Sequence, residues 1–138
     1  MSTISTSART RDLVDAFFTR FGEGDLPALL DLFDDGVDFR VAGAPHVPWT
    51  GDRTGRDEIA AFFASFGRHL TPAIEYVVAT TVVDGDHAVV IGHNRFGVLA
   101  TGRIFTNHFA LHITAADGRI TGYRMYEDSH AIAEAFAG

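Results

Sequence analysis

The sequence predicts an α+β fold: a curved, mostly antiparallel sheet wrapped around N-terminal helices, forming a cone with an internal pocket. Three observations carry this. An amphipathic stripe occupies the first quarter of the chain, two further helical patterns follow, and from residue 73 onward the pattern changes to β-branched strands broken by short turns. Helices before a strand meander give segregated layers rather than alternating βαβ units.

Leu13, Val14, Phe17, Phe18 and Phe21 recur at i, i+3 and i+4, so one helix face is apolar. Gly22 and Gly24 end that helix. Asp25 has the position of an N-cap for a short second helix, with Pro27 in its first turn and Leu29, Leu30, Leu32 and Phe33 inside. Asp34-Asp35-Gly36 reads as a turn, and Val37, Phe39 and Val41 alternate with polar residues as a strand. Residues 43–53 read as a loop holding Pro45, His46, Pro48 and Trp49. Thr54 and Asp57 have capping-box spacing ahead of a third helix with Ile59, Phe62, Phe63 and Phe66. Residues 73–83, 87–98, 103–114 and 119–127 read as four strands, with Asp117-Gly118 a hairpin turn. Ser129 to Phe136 forms a closing helix.

The chain has 138 residues, and all 11 of its cationic side chains are arginine. With 18 acids the formal charge is −7, which argues against a nucleic-acid surface. Cysteine and lysine are both absent, which excludes disulfides, thiolate nucleophiles, Schiff bases and P-loop lysines. Hydrophobic residues make up 46%, including 12 Phe, enough for a core without staples. No apolar run approaches the ~18 residues of a membrane span. The reading is a loose tail over residues 1–10 and a single domain over 11–138, in a cytoplasmic protein with no membrane and no nucleic-acid partner.

Four stretches resemble the SnoaL-like branch of the nuclear-transport-factor-2-like superfamily. They are Gly24-Asp25-Leu26 with Leu32-Phe33-Asp34-Asp35; Pro48-Trp49-Thr50-Gly51 with Gly55-Arg56-Asp57-Glu58-Ile59 and Phe62-Phe63; Thr101-Gly102-Arg103; and Asp117-Gly118-Arg119-Ile120 through Arg124, Tyr126 and Asp128. The resemblance implies the cone fold and a relationship to ketosteroid isomerases, polyketide cyclases and limonene epoxide hydrolases. It does not imply one reaction. The isomerase tyrosine and base positions fall on Phe17 and Val41, and only Asn107 keeps a polar group in the oxyanion hole. The hydrolase Asp–Arg–Asp positions fall on His93, Arg95 and Met125. Neither standard mechanism is therefore available.

That alignment places His93 and Arg95 inward on their strand, and Tyr123, Met125 and Glu127 inward on the last. Strand alternation puts Arg103, Phe105, Asn107 and Phe109 on one inward face. The candidate catalytic residues are His93, Arg95 and Glu127, with either His93 or Glu127 as the base and Arg95 stabilising developing negative charge. The structural alternatives are a satisfied core histidine, an Arg95–Glu127 pair and a rim salt bridge. Asn107, Tyr123, Met125, Trp49, Phe17, Phe109 and Val41 are the candidate substrate-binding residues. Asp128 reads as the cap of the last helix. His108 and His112 lie ~13 Å apart along a strand, so no metal site is expected, and no cofactor. The expected function is acid/base chemistry (isomerisation, cyclisation or dehydration) on a small apolar or aromatic oxygenated substrate. The alternative is a non-catalytic binding or association module. A homodimer is expected through the convex sheet face, which would carry Ile104, Thr106, His108, Ala110, His112, Arg124 and Tyr126.

Overall fold

The computed structural model describes residues 5–137. Helix α1 spans Thr6–Glu23, α2 Leu26–Leu30, α3 Gly55–His69 and α4 Ser129–Phe136. Strands β1 (Phe33–Val41), β2 (Gly51–Arg53), β3 (Glu75–Asp84), β4 (His87–Gly97), β5 (Ile104–Ala116) and β6 (Arg119–Tyr126) form one sheet in the order β2-β1-β6-β5-β4-β3. The β1–β6 pair is parallel and the others are antiparallel. This is the α+β cone that the sequence predicts.

Several local readings need correction. The loose tail over residues 1–10 is helical from Thr6: Ser5 caps α1 by accepting from the Ala8 N–H. Thr10 is buried, its hydroxyl donating to the Gly85 carbonyl at 2.6 Å. Those polar side chains satisfy helix and turn groups, a role that a count of Ser and Thr does not reveal. Residues 1–4 and 138 lie outside the described residues. The 34–36 turn is a bulge within β1, where the register against β6 shifts between Phe33 and Asp38. The 43–53 loop contains β2, whose Gly51–Arg53 pairs with β1. At α3, the Thr54 side chain makes no cap bond; the Thr54 N–H instead donates to Glu58, one residue beyond the predicted partner.

Other signals hold. The Asp25 side chain accepts the Ala28 N–H, and Gly24 closes α1 in the left-handed conformation at φ 70°. Asp117 and Gly118, at φ 52° and 75°, make the β5–β6 hairpin turn.

The stripe of α1 and the phenylalanines of α3 pack onto the concave face of the sheet. Phe39 stacks on Tyr123 with centroids 4.2 Å apart, and Phe17, Phe33, Phe62 and Phe63 surround that pair. Phe17, Phe62, Phe63 and Tyr123 of this cluster also line a cavity between the helices and the sheet.

Candidate functional site

The cavity holds about 410 Å³ between the helices and the concave sheet, within the usual range for small-molecule sites. Helix α1 contributes Phe17, Arg20 and Phe21; α3 contributes Phe62, Phe63 and Phe66; the sheet contributes Val41, Tyr76, Asn94, Phe96, Phe105, Asn107, Tyr123 and Met125. Trp49, from the loop before β2, and Glu127, just after β6, close one side. Arg20 stands where α1 meets α2, its guanidinium donating to the Ala28 carbonyl at 2.6 Å.

The walls are mostly aromatic, and the carboxyl of Glu127 is set among them. Trp49 Nε1 donates to Glu127 Oε1 at 2.8 Å, and Asn107 Nδ2 donates to Oε2 at 3.0 Å. Asn107 is itself fixed, because its Oδ1 accepts the Asp128 N–H at 2.8 Å. Burial pushes the Glu127 carboxyl up to about 7, against the downward pull of the Trp49 and Asn107 bonds. The same burial raises the hydroxyls of Tyr123 and Tyr76, so both remain neutral donors.

This geometry gives Glu127 a definite polarity. A protonated carboxyl cannot direct its O–H at Trp49 Nε1 or Asn107 Nδ2, which are both donors. Its proton therefore sits on a carboxyl lone pair that neither donor uses, on a side chain that lines the cavity. Near neutral pH one group can give or take a proton at one place.

Of the predicted site residues, Glu127, Asn107, Tyr123, Met125, Trp49, Phe17 and Val41 all line this cavity. His93 and Arg95 do not. They project from the convex face, where His93 Nε2 meets Glu75 Oε1 at 2.9 Å and its ring lies 5.7 Å from that of His108. Arg95 is exposed on the same face. The cause is a one-residue slip, which turns a whole strand over. Ala88, Val90, Gly92, Asn94 and Phe96 form the inward row, as the pairing of Asn94 with the inward Asn107 requires. Phe109 is buried but does not reach the cavity: its ring sits on Gly92 and beside Tyr76. Asp128 occupies the N-cap position of α4 without a side-chain cap bond.

Sequence reasoning missed Asn94 and Tyr76. The signal was present, since on β4 the even-numbered positions carry no charge while the odd ones carry His87, His93 and Arg95. Among the described residues, no group of three or more His, Cys, Asp or Glu stands close enough to hold a metal ion. No helix among them is long and apolar enough to cross a membrane.

A family model for the SnoaL-like domain matches residues 14–123. The chain belongs to the SnoaL-like family. No curated protein matches it by sequence. Among solved structures, an NTF2-like protein from Burkholderia xenovorans LB400 is 24% identical, with a TM-score of 0.84 over 95% of this chain and 98% of that one. A provisionally named isomerase from Bacillus subtilis is 19% identical, with a TM-score of 0.80 over 96% of each chain. TerC, co-crystallised with polyporic acid, is 22% identical, with a TM-score of 0.78 over 91% of this SnoaL-like chain and 96% of TerC. At these identities the likeness is one of fold.

Proposed function

We propose that this SnoaL-like protein performs cofactor-free proton transfer on a small, largely apolar or aromatic, oxygenated substrate held in the cavity. The observation that carries this is Glu127: a carboxyl lining an aromatic cavity, pushed by burial up to about 7 and held by two donors that leave it room for one proton. As carboxylate it takes a proton from carbon beside a carbonyl. The neutral hydroxyls of Tyr76 and Tyr123 then face the charge that develops on oxygen. Returning the proton to another carbon isomerises the substrate; losing a β-hydroxyl dehydrates it; attack of the enolate on a second carbonyl cyclises it. The isomerase designation of the Bacillus subtilis neighbour is in keeping with this class.

The test uses 2-tetralone, a bicyclic ketone with acidic α-hydrogens, in deuterated buffer. The expected result is exchange of those hydrogens faster with the protein than without it, and no such acceleration by Glu127→Gln. Equal acceleration by the variant would remove Glu127 from the chemistry. Binding of the ketone without exchange would leave a ligand-binding module.

We further propose a homodimer through the convex sheet face. In support, cross-strand rows place Val77 beside His93 and His108, and Ile91 beside Ala110 and Tyr126. Val77, Ile91 and Tyr126 are exposed apolar or aromatic side chains there. Sedimentation at micromolar concentration tests it: a species of about 30 kDa, twice the 15.0 kDa chain, is expected, and a monomer refutes the proposal.

A further inference from the structure

Three charged side chains line the cavity: Arg20, Asp25 and Glu127. Glu127 belongs to the chemistry proposed above, and the Asp25 carboxylate accepts the Ala28 N–H as the cap of α2. Arg20 is the one cation of the three, and it is half-buried. Its Nη1 donates to the Ala28 carbonyl and ties the corner between α1 and α2. That bond uses one of several N–H donors. The Nε–Nη2 edge, the fork that grips a carboxylate in two parallel bonds, has no partner among the described residues. No acid among them forms an ion pair with Arg20. Asp25 holds the N–H of Ala28 and Arg20 its carbonyl, so the two side chains share a residue without pairing. A corner tie needs only a neutral donor, so the charge of Arg20 has no use within the fold. The Asn94 amide oxygen also lacks a partner, but that atom is closed off from the cavity and offers nothing to a ligand.

The cavity is open at the Arg20 end. Gly24, whose N–H bonds the Arg20 carbonyl, lines it, and so does Gly67, one turn beyond Phe63 in α3. A Cβ added at either glycine would meet nothing within 4 Å. From there an aromatic wall leads inward. Phe21 follows Arg20, and ring contacts run from Phe21 to Phe63 at 6.1 Å, on to Phe66 at 6.4 Å and to Trp49 at 5.4 Å. Trp49 holds Glu127. A cation thus stands at one end of the wall and an acid at the other. The chain as a whole carries −7, so its general field repels anions. Any preference for an anion in this cavity has to be local.

We propose that Arg20 selects the substrate class: a flat aromatic carbonyl compound bearing a carboxylate, which pairs with the unused guanidinium edge. The rings lie along the aromatic wall, and the carbonyl end reaches Glu127. This deepens the proton-transfer reading and rests on it for the carbonyl end alone. The anchoring of the anion stands on Arg20 and the cavity. An anion held there also favours the protonated form of Glu127, because two negative charges would otherwise share one poorly solvated space.

The experiment is calorimetric titration at about pH 6, where Glu127 keeps its proton, with 2-naphthoate and with 2-naphthamide. These probes share a ring system and a planar head group and differ in charge. Wild type is expected to favour 2-naphthoate by about tenfold, the scale of a charge-assisted hydrogen bond. Arg20→Gln keeps a donor for the Ala28 carbonyl but loses the charge, and is expected to bind both probes equally. Arg20→Lys restores the charge as a point without the fork, and is expected to recover part of the preference. Glu127→Gln should keep it whole. A preference that survives in Arg20→Gln would assign the anion to neutral donors such as the Tyr123 hydroxyl and overturn the proposal. So would a lysine variant no more selective than the glutamine one, equal binding of the two probes by the wild type, or binding of neither. Naphthoate preference without exchange of 2-tetralone would refute the catalytic reading alone. Exchange without the preference would refute the anchor alone.

Discussion

Trp49 Nε1 stands 2.8 Å from Glu127 Oε1, so the chain's single tryptophan reports directly on the carboxyl that closes one side of the cavity. The indole N–H donates to an ionised oxygen above the Glu127 pKa and to a neutral acid below it. Tryptophan emission is therefore expected to titrate with a midpoint of about 7 in the wild type. Glu127→Gln should abolish that transition. A transition that persists in the variant would belong to another group.

The same carboxyl makes folding depend on pH in a direction opposite to that of ion-paired carboxylates, whose pKa is depressed. Its folded-state pKa lies near 7, above the ordinary value of 4.5. Between those values the unfolded chain has released the proton while the folded chain retains it. Stability is therefore greatest below about 4.5 and falls as pH rises to about 7, by about 3 kcal/mol from this group alone. Urea unfolding at pH 5 and pH 7.5 measures the slope. Glu127→Gln should flatten it, while costing about 1–2 kcal/mol at acid pH, because its NH₂ opposes one of the two donors.

Asn107 supports Glu127 in two ways, donating to its Oε2 and accepting the Asp128 N–H that leads into α4. Asn107→Ala removes both bonds. The expected cost is about 2–3 kcal/mol from the two groups left unpaired. Losing a donor that favours the charged form should also move the Glu127 midpoint upward, readable in the Trp49 emission. An unchanged midpoint would mean that burial alone sets it.

Much of this was legible from residue type and spacing. The α1 stripe, the Asp25 cap and the Asp117-Gly118 turn follow from local rules, whereas the inward phase of β6, which places Glu127, follows from the family resemblance at Met125. The phase of β4 does not follow from the family alignment, which sets His93 and Arg95 inward; the uncharged even-numbered row that contains Asn94 faces inward instead. The missing partner of Asn94 was beyond reach in any case. Whether a buried amide is satisfied depends on strands β3 and β5, distant in sequence, and on the ring positions that leave the cavity open.

The convex-face position of His93 and Arg95 predicts that neither affects the cavity. The His93–Glu75 pair is 34% and 47% exposed at its side chains, so solvent screens it. His93→Ala and Arg95→Ala are each expected to change stability by less than about 0.5 kcal/mol and to leave exchange of 2-tetralone unaltered. A loss of exchange in either variant would contradict the strand phase.

Gly92 supplies the sharpest steric prediction. A Cβ there would lie 2.2 Å from the Val77 carbonyl oxygen and 2.9 Å from Phe109 Cζ. The first contact is with backbone of the neighbouring strand, next to the register shift between Val78 and Thr80. No rotamer change relieves it, so β3 must move away from β4. The second contact pushes on Phe109, whose ring rests against Tyr76 on the cavity floor. Gly92→Ala is therefore expected to destabilise the protein by about 3 kcal/mol, the upper end of the usual range for overpacked cores. Tyr76 and Asn94 would shift with the strands, and exchange of 2-tetralone should slow even in the fraction that stays folded. Gly92→Ala with wild-type melting and wild-type exchange would show that β3 and β4 are not held in this register.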